Sequence, residues 1–323
     1  MADSPRPVLA LDIGGTKLAV AVVSADGRTH GLTVEPTRKE EGPDAVLRRL
    51  FDMGHRAMVT AGLGAISAVG ISCGGPLDAR AGVLISPLHL PGWVNVPIVE
   101  LAQREFGVPA VLENDATAAV LGEHRYGAAR GADIALYLTV STGVGGGAIV
   151  NGRLHRGAAG NGGEFGHIVV RHGGRPCLCG RNGCLETYAS GTSIAARATE
   201  AVAAATQPSM LAALPVIRGE DVSSTALAGD PVATEVWDET VATLVDAITD
   251  LVNVFEPNVV VLGGGVTRSG AQLLDPVRAG VLRDAMAPAG AAARVELAGL
   301  GDEVCVVGAA ALAFDRVQED ARV

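Results

Sequence analysis

Apolar residues in the first third of the chain fall in short blocks separated by turn residues. Val8–Asp12 is apolar and ends in an acid, Gly14-Gly15-Thr16 interrupts it, Leu18–Val23 resumes the run, and Asp26-Gly27 follows. That spacing predicts a strand, a tight hairpin, a second strand and a turn. Residues 44–61 carry a helical pattern, and Ala68–Ser72 reads as a strand stopped by Gly74-Gly75-Pro76. Ile98–Phe106 reads as a helix, Val108–Leu112 as a strand and Thr117–Tyr126 as a helix.

The opening pattern then recurs. Ile134–Val140 predicts a strand, Ser141–Gly147 a glycine-rich turn, Ala148–Val150 a strand, and Asn151-Gly152 a turn. Beside residues 8–28 this is a long-range internal repeat, and it predicts two related α/β lobes with one hairpin of each facing a shared cleft. Residues 155–186 are dense in Gly, His, Arg and Cys and lack periodicity, which is long for an idle loop. Trp237, Val241, Leu244, Val245, Ile248, Leu251, Val252 and Phe255 recur at helical spacing up to Pro257. Asn258–Leu262 predicts a strand running into Gly263-Gly264-Gly265, and Gly308–Val317 a final helix.

Composition narrows the function classes. With 323 residues, 48% of them apolar, the chain can build one large domain or two medium ones. A net charge of −10 argues against a broad nucleic-acid interface and against a polybasic membrane surface. The start, MADSPRPVLA, lacks the basic region and apolar run of a secretory leader, and the uncharged stretch Ile134–Gly152 is broken by glycines and hydroxyl residues. A cytoplasmic protein is expected. The five cysteines are at 73, 177, 179, 184 and 305. Three within eight positions suggest metal ligation rather than a disulfide framework. Cys73 and Cys305 read as small core residues in apolar strands.

The glycine runs carry the candidate chemistry. In Asp12-Ile13-Gly14-Gly15-Thr16-Lys17 the glycines let backbone N–H groups approach an anion, Thr16 and Lys17 add donors, and Asp12 can hold a metal-bound water beside a phosphate. The spacing fits neither a Walker A loop nor a Rossmann fingerprint. Ser141–Gly147 and Gly263–Val266 repeat the theme at predicted strand ends, where ligands gather in α/β folds.

Asp12–Lys17, Glu113-Asn114-Asp115, Ser141–Gly147, Glu164-Phe165-Gly166-His167 and Cys177–Glu186 together resemble the ROK family (repressor, open reading frame, kinase) of sugar kinases over roughly residues 8 to 310. The resemblance implies an α/β protein with a two-lobed actin-like, ribonuclease H-like ATPase fold and a small zinc-binding loop. The expected lobes are residues 1–118, joined by a C-terminal helix 306–319, and residues 119–305. It also implies phosphoryl transfer from ATP to a sugar hydroxyl, with glucose at the 6-hydroxyl as first choice. N-acetylmannosamine or N-acetylglucosamine is the alternative, and the sequence does not choose between ATP and polyphosphate as donor.

By the same resemblance Asp115 is the catalytic base and Asn114 holds a neighbouring hydroxyl, although Asn114-Asp115 equally suits a helix cap. Gly75, Glu164, His167 and Glu186 match sugar contacts. Asp12, Gly14, Gly15, Thr16, Lys17, Thr142, Gly143, Gly264 and Gly265 match the site for ATP and Mg²⁺. His167, Cys177, Cys179 and Cys184 match a structural Zn²⁺ site, and four protein ligands would leave no open position. His167 could bind metal through one ring nitrogen and a hydroxyl through the other. One departure concerns Ser86–Trp93, where many family members have Asn ahead of Leu and this chain has His89; it bears on which sugar fits. Trp93 reads as core, and Arg171, Arg175 and Arg181 as a solvated rim in preference to a set of charges that steers ATP. A homodimer or homotetramer is expected. The sugar-responsive regulators of the family place a helix-turn-helix before the first phosphate turn, and the position of Asp12 disfavours that branch.

Overall fold

The computed structural model describes residues 6–320; the first five residues, read above for a leader, lie outside it. The chain forms two compact units. Of the described residues, the first takes 6–130, 156–161 and 302–320, and the second takes 131–155 and 162–301.

The first unit opens with β1 (Val8–Ile13), β2 (Lys17–Val23) and β3 (Thr29–Pro36), followed by α1 (Pro43–Ala61) and β4 (Val69–Cys73). The short strands β5 (Leu77–Asp78) and β6 (Val83–Leu84) lead to α2 (Ile98–Phe106), β7 (Ala110–Asn114) and α3 (Asp115–Tyr126). The sheet order is β3-β2-β1-β4-β7, with β1, β4 and β7 parallel and the other pairings antiparallel. Alternation along β1 separates two cores. Leu9, Leu11 and Ile13 pack toward Leu50, Met53 and Ile98, while Val8 and Ala10 pack on the opposite face.

The second unit contains β8 (Ala135–Val140), β9 (Val144–Val150), β10 (Arg153–Leu154), α4 (Glu186–Ala189), α5 (Gly191–Ala204), α6 (Gly219–Leu227) and α7 (Pro231–Phe255). It continues with β11 (Val259–Gly263), α8 (Ala271–Asp284), α9 (Ala289–Ala292) and β12 (Arg294–Leu297). Its sheet, β10-β9-β8-β11-β12, has the order and strand senses of the first, so the predicted repeat is a repeat of topology. Leu136, Leu138 and Val140 bury against Trp237, Leu244 and Ile248 of α7. That helix starts six residues before its first periodic apolar residue, because Asp230 accepts a hydrogen bond from Ala233 and Pro231 occupies the first turn.

The last helix, α10 (Val304–Asp320), belongs to the first unit and lies on the Ala-rich face of its sheet. Small residues permit the approach: a Cβ on Gly70 would come within 1.8 Å of the Ala309 carbonyl, and one on Gly308 within 2.0 Å of the Ala118 carbonyl. Cys305 therefore sits at the start of a helix and not in a strand as expected. A second difference concerns Ser141–Gly147. Only residues 141–143 turn; Gly145, Gly146 and Gly147 are in β9. Gly146 is a packing position, since a Cβ there would lie 2.4 Å from Phe165 Cδ2 and 2.5 Å from the Gly163 carbonyl. No described helix is long and apolar enough to cross a membrane.

Candidate active site

Register aligns the chemistry of the first unit. Asp12 pairs with Ser72, and Ser72 with Glu113, across the ends of β1, β4 and β7. The Ser72 hydroxyl donates to Asp12 Oδ1 at 2.7 Å. Burial pushes the Asp12 carboxyl from 3.8 up to about 6; the Ser72 hydrogen bond opposes the shift, the Asp115 charge adds to it, and Lys17 opposes it. Glu113 is 1% exposed and paired with Arg156, whose Nε donates to Oε2 at 2.6 Å. Neither Ser72 nor Arg156 stood out in the sequence. Serine in an apolar strand carries no signal of its own, and Arg156 lies forty-three positions from its partner.

The turn after β1 is braced internally. Gly14 N–H donates to the Lys17 carbonyl, Thr37 N–H to the Thr16 carbonyl, and the Thr37 hydroxyl to the Gly14 carbonyl. Thr16 and Lys17 are exposed. At the end of β7 the helix-cap reading of Asn114 is correct: its Oδ1 accepts from the N–H groups of Ala116 (3.0 Å) and Thr117 (3.3 Å). The cap occupies the oxygen, which leaves the amide nitrogen as the group that can meet a ligand hydroxyl. Asp115 opens α3, and its Oδ1 accepts from the Ala116 N–H at 2.8 Å. Burial raises its pKa above 3.8, against the pull of that hydrogen bond and of His89. Gly75 lies in the turn after β4, where its carbonyl accepts from Leu88 N–H.

In the second unit Gly143 and Val144 meet Glu186. Val144 N–H donates to Glu186 Oε2 at 3.0 Å, and a Cβ on Gly143 would lie 2.6 Å from the same oxygen. Glu186 thus ties the turn bearing Thr142 and Gly143 to the cysteine loop. Gly264 has φ +91°, and its missing Cβ would strike the Val140 carbonyl at 2.5 Å, which leaves room for glycine alone. Thr142 and Gly265 border a cavity of about 660 Å³ whose walls include Gly191, Thr192, Arg218, Gly219 and Arg268. Gly191 and Gly219 open α5 and α6, so two helix N-termini edge this cavity, and their dipoles suit an anionic ligand. Those residues escaped sequence reasoning because no motif marks them.

His167, Cys177, Cys179 and Cys184 present donor atoms that all lie within 4.8 Å of one another. Cys177 Sγ is 3.6 Å from His167 Nδ1, and Cys179 Sγ is 3.6 Å from Cys184 Sγ. A tetrahedral zinc with bonds of about 2.0–2.3 Å separates its ligands by roughly 3.3–3.8 Å, so the donor set fits that ion in type and spacing. Arg181 donates to the His167 carbonyl, while Arg175 and Arg171 pair with Glu200 and Glu239. These three arginines brace the loop. Glu164 is exposed at its start. Trp93, 1% exposed, is core as expected.

Residues 8–316 match the ROK family. The chain belongs to this family. It is 34% identical over 319 residues to a glucokinase of Thermotoga maritima, covering 96% of this chain and 98% of that one. An N-acetylmannosamine kinase of Escherichia coli is also 34% identical, over 260 residues and 80% of this chain. Among solved structures, a ROK hexokinase from Thermus thermophilus superposes with a TM-score of 0.82 at 38% identity, covering 97% of this chain and 99% of its own. A ROK family glucokinase from Streptomyces griseus, in complex with glucose and AMPPNP, gives 0.80 at 33% identity, covering 96% and 99%. This ROK protein is an ATP-dependent sugar kinase with the actin-like ATPase fold of the family.

Proposed function

We propose that the sugar is a hexose, glucose before N-acetylmannosamine or N-acetylglucosamine, phosphorylated at its 6-hydroxyl. The observation that carries this reading is Asp115, a carboxylate beside the Asn114 amide whose proton affinity burial has raised. In phosphoryl transfer the transition state is loose and the hydroxyl proton leaves late, so positioning and charge stabilisation dominate. A base with a raised pKa is better matched to the proton it receives near neutral pH. The Asn114 amide and the Gly75 turn would hold hydroxyls next to the reacting one.

The donor side follows the same logic. The braced Gly14–Lys17 turn, the Thr142-Gly143 turn and Gly264-Gly265 would direct backbone N–H groups, with Lys17, at the phosphates. The 660 Å³ cavity is of a size to take the nucleoside. Asp12 would orient waters of a Mg²⁺ ion, which supplies charge neutralisation to the phosphates when bound. Zn²⁺ held by His167, Cys177, Cys179 and Cys184 would fix the loop that presents Glu164, His167 and Glu186 to sugar hydroxyls. With Nδ1 toward the cysteines, His167 keeps Nε2 for that task. Glu186 would use Oε1, since Oε2 is engaged by Val144.

A coupled ADP-release assay over hexoses and N-acetylhexosamines tests the reading, with the phosphorylated position located by NMR. Glucose should give the highest kcat/KM, by tenfold or more, and glucose 6-phosphate as product. Preference for an N-acetylhexosamine would replace glucose, and phosphate on another hydroxyl would remove the assigned geometry.

A further inference from the structure

His89 is an imidazole of the first unit that none of these roles uses. His89 lies on the loop between β6 and α2, pinned by the buried side chains of Leu90 and Trp93, each 1% exposed, and by the Leu88 N–H bond to the Gly75 carbonyl. Its side chain fills the space between two glycine turns. A Cβ on Gly15 would lie 2.8 Å from His89 Cβ and 3.1 Å from Cδ2. A Cβ on Gly74 would lie 2.5 Å from Cε1 and 3.1 Å from Nδ1. Nε2 is 3.9 Å from Cys73 Sγ at the end of β4, and the ring feels the Ile13 backbone at the end of β1. Asp115, at the start of α3, and Lys39 are the charged groups that act on the ring, with opposite effect. The glycines at 15 and 74 are thus explained by one neighbour, and that neighbour touches the ends of both strands.

We propose that His89 is a positioning residue of the transfer reaction: its ring is the spacer that sets the Gly14–Lys17 turn and the Gly74-Gly75 turn in one frame. The proposal rests on the roles given above to those turns. The ring acts through them. It holds the phosphate turn at a fixed separation from the sugar-side turn. Small errors in such a frame are expensive, because a displacement near 1 Å can cost about a hundredfold in rate.

A double-mutant cycle with steady-state kinetics and thermal melts separates positioning from packing. His89→Ala should lower kcat at least tenfold, with the melting temperature changed by only a few degrees. His89→Gln, which keeps a side-chain N–H donor and much of the bulk, should recover a substantial part of kcat. Gly74→Ala drives a methyl against the ring and should lower kcat similarly; in the His89→Ala background the methyl has room, so the second loss should be less than threefold. Wild-type kcat in His89→Ala, or strictly multiplicative losses in the double variant, would overturn the proposal. Asp115→Asn is run in parallel. If that variant keeps full turnover the catalytic reading itself fails, whereas loss there with normal kinetics in His89→Ala refutes the positioning role alone.

Discussion

Replacing Asp12 by Asn should make the protein more stable and less active at once, and the stability gain should depend on pH in a calculable way. In the folded chain burial raises the Asp12 pKa to about 6, against 3.8 for an open chain. Between those values the folded state holds more protons than the unfolded state, so stability falls as pH rises through the window and stays low above it. Two pKa units at 1.36 kcal/mol each make the ionised carboxylate cost about 3 kcal/mol at pH 8. At pH 5, where the folded group is still mostly protonated, the same linkage gives about 1.6 kcal/mol. Asparagine removes the charge yet can still accept the Ser72 hydroxyl through Oδ1. Melting curves without magnesium or nucleotide should place Asp12→Asn about 5–10 °C above the parent at pH 8 and about half that at pH 5. On the proposed role of Asp12 toward Mg²⁺, turnover should fall at least tenfold. A variant no more stable than the parent at pH 8, or a gain equal at both pH values, would refute the argument that this carboxylate is held ionised against its burial.

Asp115→Ala should cut turnover at least a hundredfold with an unchanged circular dichroism spectrum; near-normal turnover removes the residue from the role of base. Because burial raises the Asp115 pKa, kcat/KM should fall on the acid side with an apparent pKa above 3.8, and a limb at or below that value would contradict the assignment. Metal analysis should find close to one zinc per chain, and a chelator should abolish activity before the helical signal declines; a metal-free, fully active protein would end the zinc reading. Gly146→Ala should lower stability by about 1–3 kcal/mol, since its methyl overlaps Phe165, and an unchanged denaturation midpoint would show that β9 can shift.

Pattern made the strands of both hairpins, α1, α2 and α7 legible, because each buries one regular face. It passed over β3, a half-exposed edge strand, and α6, whose only buried residue is Val222. The glycine runs were visible but not their division of labour. Gly146 answers to Phe165 and Gly264 to Val140, and such contacts belong to tertiary structure. The four candidate metal ligands were legible from residue type and spacing alone. The cavity bordered by Gly191 and Gly219 was not, since it is assembled from the starts of two helices that only the fold brings together.

The repeated topology explains why the candidate catalytic groups cluster where they do. In each unit a hairpin feeds the central strand of a sheet whose next two strands run parallel to it, so three strands deliver their carboxyl ends along one edge. Backbone groups there leave the ladder and become available to a ligand. In the first unit that edge displays carboxylates, Asp12 and Asp115, with Ser72 holding one of them. In the second it displays glycine turns and helix N-termini, with one carboxylate, Glu186, bound to a backbone N–H. One architecture used twice carries different chemistry: buried acids suited to a proton and a metal-bound water stand beside the Gly14–Lys17 turn in one unit, and the other offers glycine turns and helix N-termini suited to phosphate.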